Sequence, residues 1–259
     1  MTAPQIPRES TNKPTPRVSV CVVTYNQRAY IAECLQSIIN QETKTSFEIL
    51  IADDASSDGT TDIVKYYASL HPGLIKAIIN KNNVGPYVNY RMIHREAQGE
   101  LIAHMDGDDK WSANKLEEQV SFLDSNAHCP AVYTNAAVIN EEGMEIGIFN
   151  NPQPNFIDLC YLTKNGNFLL HSSLMYRSLY RFSLDSLPDQ FIDYQIHIKF
   201  AKIGQLGYLN SKHAFYRFNV AGSLSNQNGG DRIRPLYWSA LTEITDGDAS
   251  KCCKVNALS

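Results

Sequence analysis

The sequence has no run approaching the roughly 20 consecutive apolar residues that a membrane-spanning helix needs, so no segment reads as a bilayer span. It also lacks a basic excess: 23 Lys and Arg stand against 27 Asp and Glu, for a formal net charge of −4. No global positive field is there to hold a polyanion, and nucleic acid is excluded as the expected partner. Cysteine is sparse and unpatterned. The six residues at 21, 34, 129, 160, 252 and 253 show no Cys-x-x-Cys spacing, which excludes a small disulfide-stapled domain and leaves reduced, mostly buried thiols. Fourteen glycines and eleven prolines in 259 residues exclude collagen-like and low-complexity chains.

What is present is ordinary globular composition, 43% hydrophobic and 19% charged, in a chain near the upper size for one core. Residues 1–17 carry Pro4, Pro7, Pro14 and Pro16 among polar residues and lack an apolar centre, so they read as a flexible leader and not as a signal peptide. Cysteine usage and the missing membrane span point to the cytoplasm, with peripheral contact at the inner face of the cell membrane left open. Oligomeric state is not legible.

Short β-rich runs alternate with helical patterns through the first half, the signature of parallel strands joined by crossover helices and hence of an α/β fold. Val18–Thr24 is an apolar run of strand length, as expected of a strand covered on both faces. A helix over Ala29–Asn40 follows, then a strand over Phe47–Ala52 and a helix over Thr61–Leu70. Leu74–Ile79 and Glu100–Met105 are the next strands, with a helix over Tyr87–Ala97 between them. Ala113–Asp124 has helical spacing and Ala131–Ile139 is another strand. The pattern changes near residue 140. Beyond it the sequence predicts a strand over Phe168–Tyr176, a helix over Pro188–Ile203, two short strands around Tyr208 and Phe215, and a mobile Ser223–Asp231. A last segment from Pro235 starts as a helix and frays from Thr242.

In open α/β sheets ligands sit beyond the carboxyl ends of the strands, and polar clusters stand at those ends here. They are Thr24-Tyr25-Asn26, Asp53-Asp54 and Asp106-Gly107-Asp108-Asp109. Carboxylates this dense repel one another, so a cation is their natural counterpart, and an all-oxygen set favours Mg²⁺ or Mn²⁺. Residues two apart on an extended segment face one side, so Asp106 and Asp108 can address one ligand, while Gly107 lets backbone approach.

Val20–Asn26 (VCVVTYN), Ile49–Thr60 (ILIADDASSDGT), Asn82–Gly85 (NNVG) and Ala103–Gln119 (AHMDGDDKWSANKLEEQ) resemble the family 2 glycosyltransferases. Asp193–Gly204 and Tyr216–Ser225 extend the resemblance more weakly, so that it covers roughly residues 18–225. It implies a GT-A type nucleotide-sugar-binding fold, a mainly parallel sheet flanked by helices with a smaller C-terminal acceptor-side region. The division it implies is a leader at 1–17, a nucleotide-sugar-binding part at 18–140, an acceptor and catalytic-base part at 141–230, and a C-terminal helix and tail at 231–259.

By the same resemblance, Thr24, Tyr25 and Asn26 cradle base and ribose, Asp53 and Asp54 form the acidic pair at that end, and Asn83 and Gly85 belong to a loop that closes over the base. Asp106-Gly107-Asp108 matches the DXD motif: Asp106 is assigned to ribose or sugar and Asp108 to the metal, Mn²⁺ or Mg²⁺. Asp193 is the candidate base, with Asp189 as fallback because the family's Glu-Asp is Ile192-Asp193 here. Where relatives carry a metal-site His this chain has Asn219, and His213 is the substitute considered.

Beside these readings stand plainer ones. Asp53, Asp54 and Asp58 make good turn and cap residues in any protein. Trp111 and His171 are acceptor-side candidates whose alternative is packing, and Lys115 is either a surface or a phosphate-facing cation. His94, His104 and His197 show no metal-ligand spacing and read as core or surface residues. The function implied is an inverting, metal-dependent transfer of sugar from a nucleoside diphosphate donor, UDP before others, to a glycan or lipid-linked acceptor in bacterial cell-surface polysaccharide synthesis. The competing reading is a catalytically degenerate nucleotide-sugar binder or scaffold. Asp-x-Asp phosphatases place their pair after the first strand, and nucleotidyltransferases show a Gly-rich basic loop there; this chain has neither.

Overall fold

The computed structural model of the chain describes residues 15–218 and 229–248. Strand β1 (Val18–Thr24) is followed by helix α1 (Ile31–Ile39), β2 (Phe47–Asp53), α2 (Thr60–Leu70), β3 (Ile75–Ile79), α3 (Pro86–Glu96) and β4 (Leu101–Asp106). Alternation along these strands builds two cores. Val18, Val20, Val22, Ile49, Ile51, Leu101, Ala103 and Met105 share one with Ile31, Leu35 and Ile38 of α1 and Val64 of α2. Cys21, Leu50, Ala52 and Ile102 face the other way, into a core with Tyr90 and Ile93 of α3. Each fully buried Ile or Leu contributes about 1.5–3 kcal/mol, so a one-residue slip that inverted a strand would be costly.

The second half adds β5 (Lys110–Trp111), α4 (Lys115–Ser125), β6 (Ala131–Ile139), β7 (Glu145–Ile148), β8 (Phe156–Ile157), α5 (Leu159–Asn165) and β9 (Met175–Arg177). After these come α6 (Phe182–Asp185), α7 (Asp193–Ile203), β10 (Leu206–Arg217) and α8 (Gly229–Asp248). One sheet has the order β3-β2-β1-β4-β9-β6-β10-β5, with β7 on β6 and β8 on β10. Strands β3, β2, β1 and β4 are mutually parallel, β9 is antiparallel to both β4 and β6, and β10 runs parallel to β6. The architecture is the expected α/β one, with a mostly parallel sheet between helical layers. Among the described residues no helix is long and apolar enough to cross a membrane.

Four expectations are corrected. Phe168–Tyr176 is not one strand: His171–Ser173 forms a 3₁₀ turn and only Met175–Arg177 pairs. Ser173 explains the interruption, because both its amide and its hydroxyl donate to Leu170 O. The helix expected from Pro188 begins at Asp193, after an exposed turn. The two short strands are one, β10, bulged between Leu209 and Ala214. The tail expected to fray from Thr242 is helical to Asp248, because α8 docks on α7: Ala240 and Ile244 are buried and Tyr237 stacks on Tyr194 at 5.1 Å. Of the expected mobile segment, 223–228 lies outside the described residues and 229–231 opens α8.

Candidate active site

The carboxyl ends of β1, β2 and β4 converge as the parallel order requires, with Thr24 opposite Asp53 and Val23 opposite Asp106. Tyr25 is half exposed at the rim, and Asn26 turns the chain through a left-handed conformation at φ 51°. Asn26 fastens this turn to the next loop, since its amide donates to Ser56 Oγ at 2.9 Å and its Oδ1 accepts from Ser57 N at 2.9 Å. The acidic pair behaves differently from a ligand-facing pair. Asp53 is buried and accepts from Ser56 N and Oγ and from Thr61 Oγ1. Asp54 is buried too, taking Asn80 Nδ2 at 2.9 Å, Val84 N at 2.8 Å and Gly85 N at 2.9 Å. Both carboxylates shape their own loops. Asn83 Oδ1 joins them by accepting from Gly85 N, and Gly85, at φ 86° immediately before Pro86 of α3, holds a conformation that a side chain would strain.

At the end of β4, Gly107 donates its amide to Val23 O, and a Cβ there would meet Gln27 Oε1 at 2.5 Å and Thr24 Oγ1 at 2.9 Å. The glycine is required by the neighbouring loop, which packs against it. Gln27 bridges the two, accepting from Thr24 Oγ1 at 2.8 Å and hydrogen-bonding Asp108. Three carboxylates follow one another with three different environments. Burial would raise Asp106, but His104 and a hydrogen bond from Ser172 outweigh it and hold the group below the usual carboxylate range. Asp108 is pushed up to about 6 by burial and by the charge of Asp106. Asp109, 4% exposed, is driven well above its ordinary value by burial and by Asp108, and its Oδ1 accepts from Arg217 N.

Arg217, buried at the end of β10, is a residue that sequence reasoning passed over. Its Nε donates to Asp108 O at 3.0 Å, its Nη1 to Asn140 O and Glu141 O, and its Nη2 to Glu33 on α1. Its guanidinium also covers the Tyr30 ring at 4.7 Å. Its signal in the sequence is the motif Tyr216-Arg217-Phe218-Asn219, whose last residue, Asn219, lies outside the described residues. His213 is no substitute metal ligand, since its ring nitrogens meet Ser112 Oγ at 2.7 Å and Glu118 Oε2 at 2.8 Å.

Asp193, the first residue of α7, opens to solvent, yet burial of its surroundings and the charge of Asp106 raise it to about 6. It and Asp106 therefore share one electrostatic environment. The α7 terminus is fixed by Gln195, whose Oε1 accepts from Ile192 N at 3.1 Å. Asp189 lies apart in the exposed turn before α7. The acceptor-side candidates Trp111 and His171 are both buried. Trp111 donates its indole N–H to Ser172 O at 2.8 Å, and its ring supports Lys115 Nζ at 3.7 Å. Lys115 is thus neither a surface nor a phosphate-facing cation: it is fully buried, bonded to Gln119 Oε1, and burial lowers it well below the ordinary lysine range. His171 packs against His104 with ring centres 4.3 Å apart and the rings tilted by 42°.

The sequence profile of Glycosyl transferase family 2 matches residues 19–181, and the chain belongs to that family. An uncharacterised protein of Mycobacterium tuberculosis is 33% identical over 211 residues, 79% of this chain and 60% of that protein. The chain thus spans about 60% of the length of the mycobacterial relatives it matches. The putative glycosyltransferase EpsE of Bacillus subtilis is 32% identical over 206 residues, covering 78% of this chain and 72% of that protein. Among solved structures, Staphylococcus aureus TarS 1–349 in complex with UDP-GlcNAc superposes with a TM-score of 0.66 at 22% identity, over 90% of this chain and 67% of that one. At that identity the likeness concerns the fold.

Proposed function

We propose that this chain transfers a sugar with inversion from a nucleoside diphosphate donor, a UDP-sugar, to a hydroxyl of a glycan or lipid-linked saccharide in bacterial cell-surface polysaccharide synthesis. Membership of glycosyl transferase family 2 supports the reaction class. The observation that carries the reading is the electrostatic coupling of Asp193 at the head of α7 to Asp106 at the end of β4. A donor-binding carboxylate thus acts on a solvent-open carboxylate that is raised to about 6 by burial and by that charge.

In this reading Thr24, Tyr25, Asn26, Asn83 and Gly85 receive the nucleoside, Tyr25 offering an exposed ring for base stacking. Asp53 and Asp54 hold the two loops in shape. Asp106 accepts from a ribose or sugar hydroxyl, and Gly107 brings the backbone close. Asp193 takes the acceptor hydroxyl's proton as the acceptor oxygen bonds to the anomeric carbon, and the diphosphate leaves with the electrons of the broken bond. A base raised to about 6 is ionised at neutral pH and still accepts a proton readily.

The donor set fits a hard divalent cation, Mn²⁺ or Mg²⁺, on one side. Asp108 is raised by burial and by the charge of Asp106, and a cation would relieve the repulsion between the two carboxylates. Among the described residues no three His, Cys, Asp or Glu side chains converge on a metal position, so Asp108 would share the ion with the donor's phosphate oxygens. When bound, the ion would neutralise charge on the departing diphosphate.

The competing reading is a nucleotide-sugar binder without turnover. Calorimetric titration with UDP, GDP, CDP and dTDP, each with Mn²⁺ and again with EDTA, tests the binding half. Metal-dependent binding of one diphosphate, lost in Asp108→Ala, is the expected result. Asp193→Asn should keep that binding and lose turnover; normal turnover would overturn the base assignment, and no binding of any diphosphate would overturn the donor assignment.

A further inference from the structure

Beneath Asp106 runs an unbroken line of buried side chains that the transfer reaction does not itself use. His104 Nε2 lies 3.2 Å from Asp106 Oδ1, His104 Nδ1 lies 3.1 Å from His94 Nε2, and His94 Nδ1 lies 2.9 Å from Tyr176 Oη. All three supporting residues are at most 1% exposed. The line follows from strand parity. His104 alternates with Met105 on β4, so it points to the face that α3 covers, where His94 stands in the last turn and Tyr176 on β9 closes the far end. The rings are held by their neighbours: Tyr90 stacks on His94 at 4.1 Å between centres, and Tyr90 and His171 pack tilted against His104 at 5.0 Å and 4.3 Å.

We propose that His104 is a positioning residue for donor binding: its Nε2–H holds the Asp106 carboxylate in the rotamer that presents it to the donor, and His94 fixes the tautomer that keeps that proton on Nε2. The proposal rests on the reading of Asp106 as a donor-binding carboxylate. Two fixed donors meet Asp106, His104 on Oδ1 and Ser172 Oγ on Oδ2 at 2.8 Å, while the side chain stays 40% exposed. A carboxylate pinned at both oxygens cannot rotate away when the site is empty, so less ordering is left for binding to supply.

The hydrogen-bond accounting agrees in direction. An ionised Asp106 only accepts, so the proton between it and His104 belongs to Nε2. Burial holds His94 neutral, with a single N–H. If that N–H is on Nε2 it donates to His104 Nδ1, and the Tyr176 hydroxyl donates to His94 Nδ1. Every bond in the line then points toward Asp106. His104, His94 and Tyr176 are buried, so behind Asp106 solvent cannot exchange these partners for its own.

The test has one arm free of ligand and one with it. In ¹⁵N-histidine NMR of the wild-type protein, His104 should carry its proton on Nε2, and its resonances should move in Asp106→Asn; a proton on Nδ1 alone would overturn the proposal. In the second arm, UDP-, GDP-, CDP- and dTDP-sugars are titrated with Mn²⁺ into His104→Phe, which keeps an aromatic ring in the stack but has no donor. The sugar nucleotide bound by wild type should bind roughly 10- to 100-fold more weakly, the scale of one lost hydrogen bond to a charged group. His104→Gln, which restores a donor and serves if the Phe variant does not fold, should recover most of the loss. In an Asp106→Asn background His104→Phe should add nothing further. An undiminished affinity of His104→Phe, or an equal loss in both backgrounds, would overturn the positioning role. If Asp106→Asn itself binds as wild type, the donor-binding reading of Asp106 has failed; if only His104→Phe is silent, that reading stands and the positioning role falls.

Discussion

Arg217 and Glu33 lie 184 positions apart in the chain and meet side chain to side chain at 2.5 Å. Their contact ties the end of the last strand to the first helix, and the same guanidinium holds the carbonyls of Asp108, Asn140 and Glu141. Arg217 therefore sets the height of the Asp106–Asp109 loop from below.

Removing it should damage both stability and the loop. Arg217→Met keeps an apolar stem but orphans three backbone carbonyls. A buried orphaned group costs about 1–3 kcal/mol, but Asn140 is only half-buried and Glu141 exposed, so their carbonyls can turn to water and the loss stays near that of the Asp108 carbonyl with a smaller share from the other two. A loss of about 2–4 kcal/mol is expected in denaturant unfolding, with diphosphate binding weakened at least tenfold at a temperature where the variant is folded.

Gly107→Ala should be felt in a different way. The added methyl meets Gln27 Oε1 and Thr24 Oγ1 inside contact distance, so the two loops must part. Overpacking of this kind costs about 1–3 kcal/mol. Gln27→Ala in the same chain should return only part of it, because Thr24 still obstructs, and thermal unfolding of the single and double variants would show the partial recovery.

Asp54 closes the loop of residues 80–85 through three accepted hydrogen bonds. Asp54→Ala should release that loop, costing about 2–4 kcal/mol, and the amides of Val84 and Gly85 should exchange with solvent at least tenfold faster. Unchanged exchange at both amides would show that the carboxylate does not hold them.

Asp193 links activity to acidity and stability with opposite signs. Its value of about 6 in the folded state exceeds the ordinary 3.8, so the folded protein keeps this proton longer than the unfolded chain. Its contribution to stability is most favourable below about pH 4, declines from there to about pH 6, and is flat above. Turnover should rise through pH 6 as the base ionises. Asp193→Asn should lose about 10²- to 10⁴-fold in turnover, melt higher than wild type at pH 7.5, and melt with it at pH 3.5.

The parallel strands were legible because burial on both faces writes itself as apolar runs: Val18–Thr24 and Ala131–Ile139 stand where the sequence puts them. Carboxylates at strand ends were legible for the same reason, since charge directly after such a run needs a use. Short pairings were not. Met175–Arg177 and Lys110–Trp111 are strands only because partners far along the chain receive them, which no local pattern records. His94 and His104 were visible as residues but not as neighbours. Their meeting depends on which face of β4 α3 covers, and spacing along the chain does not record that.

The placement of β10 bears on how the molecule is made. Strands β1 to β4 and their crossover helices close through local connections, and their α3-side core is completed by Leu174, Tyr176 and Leu184 from the second half. Strand β10 then slots in alongside β6, bringing Arg217 beneath the acidic loop, just after α7 delivers Asp193. The acidic loop therefore receives its support from the last strand of the sheet, and a chain cut short before β10 would leave the Asp106–Asp109 loop without the guanidinium that holds it.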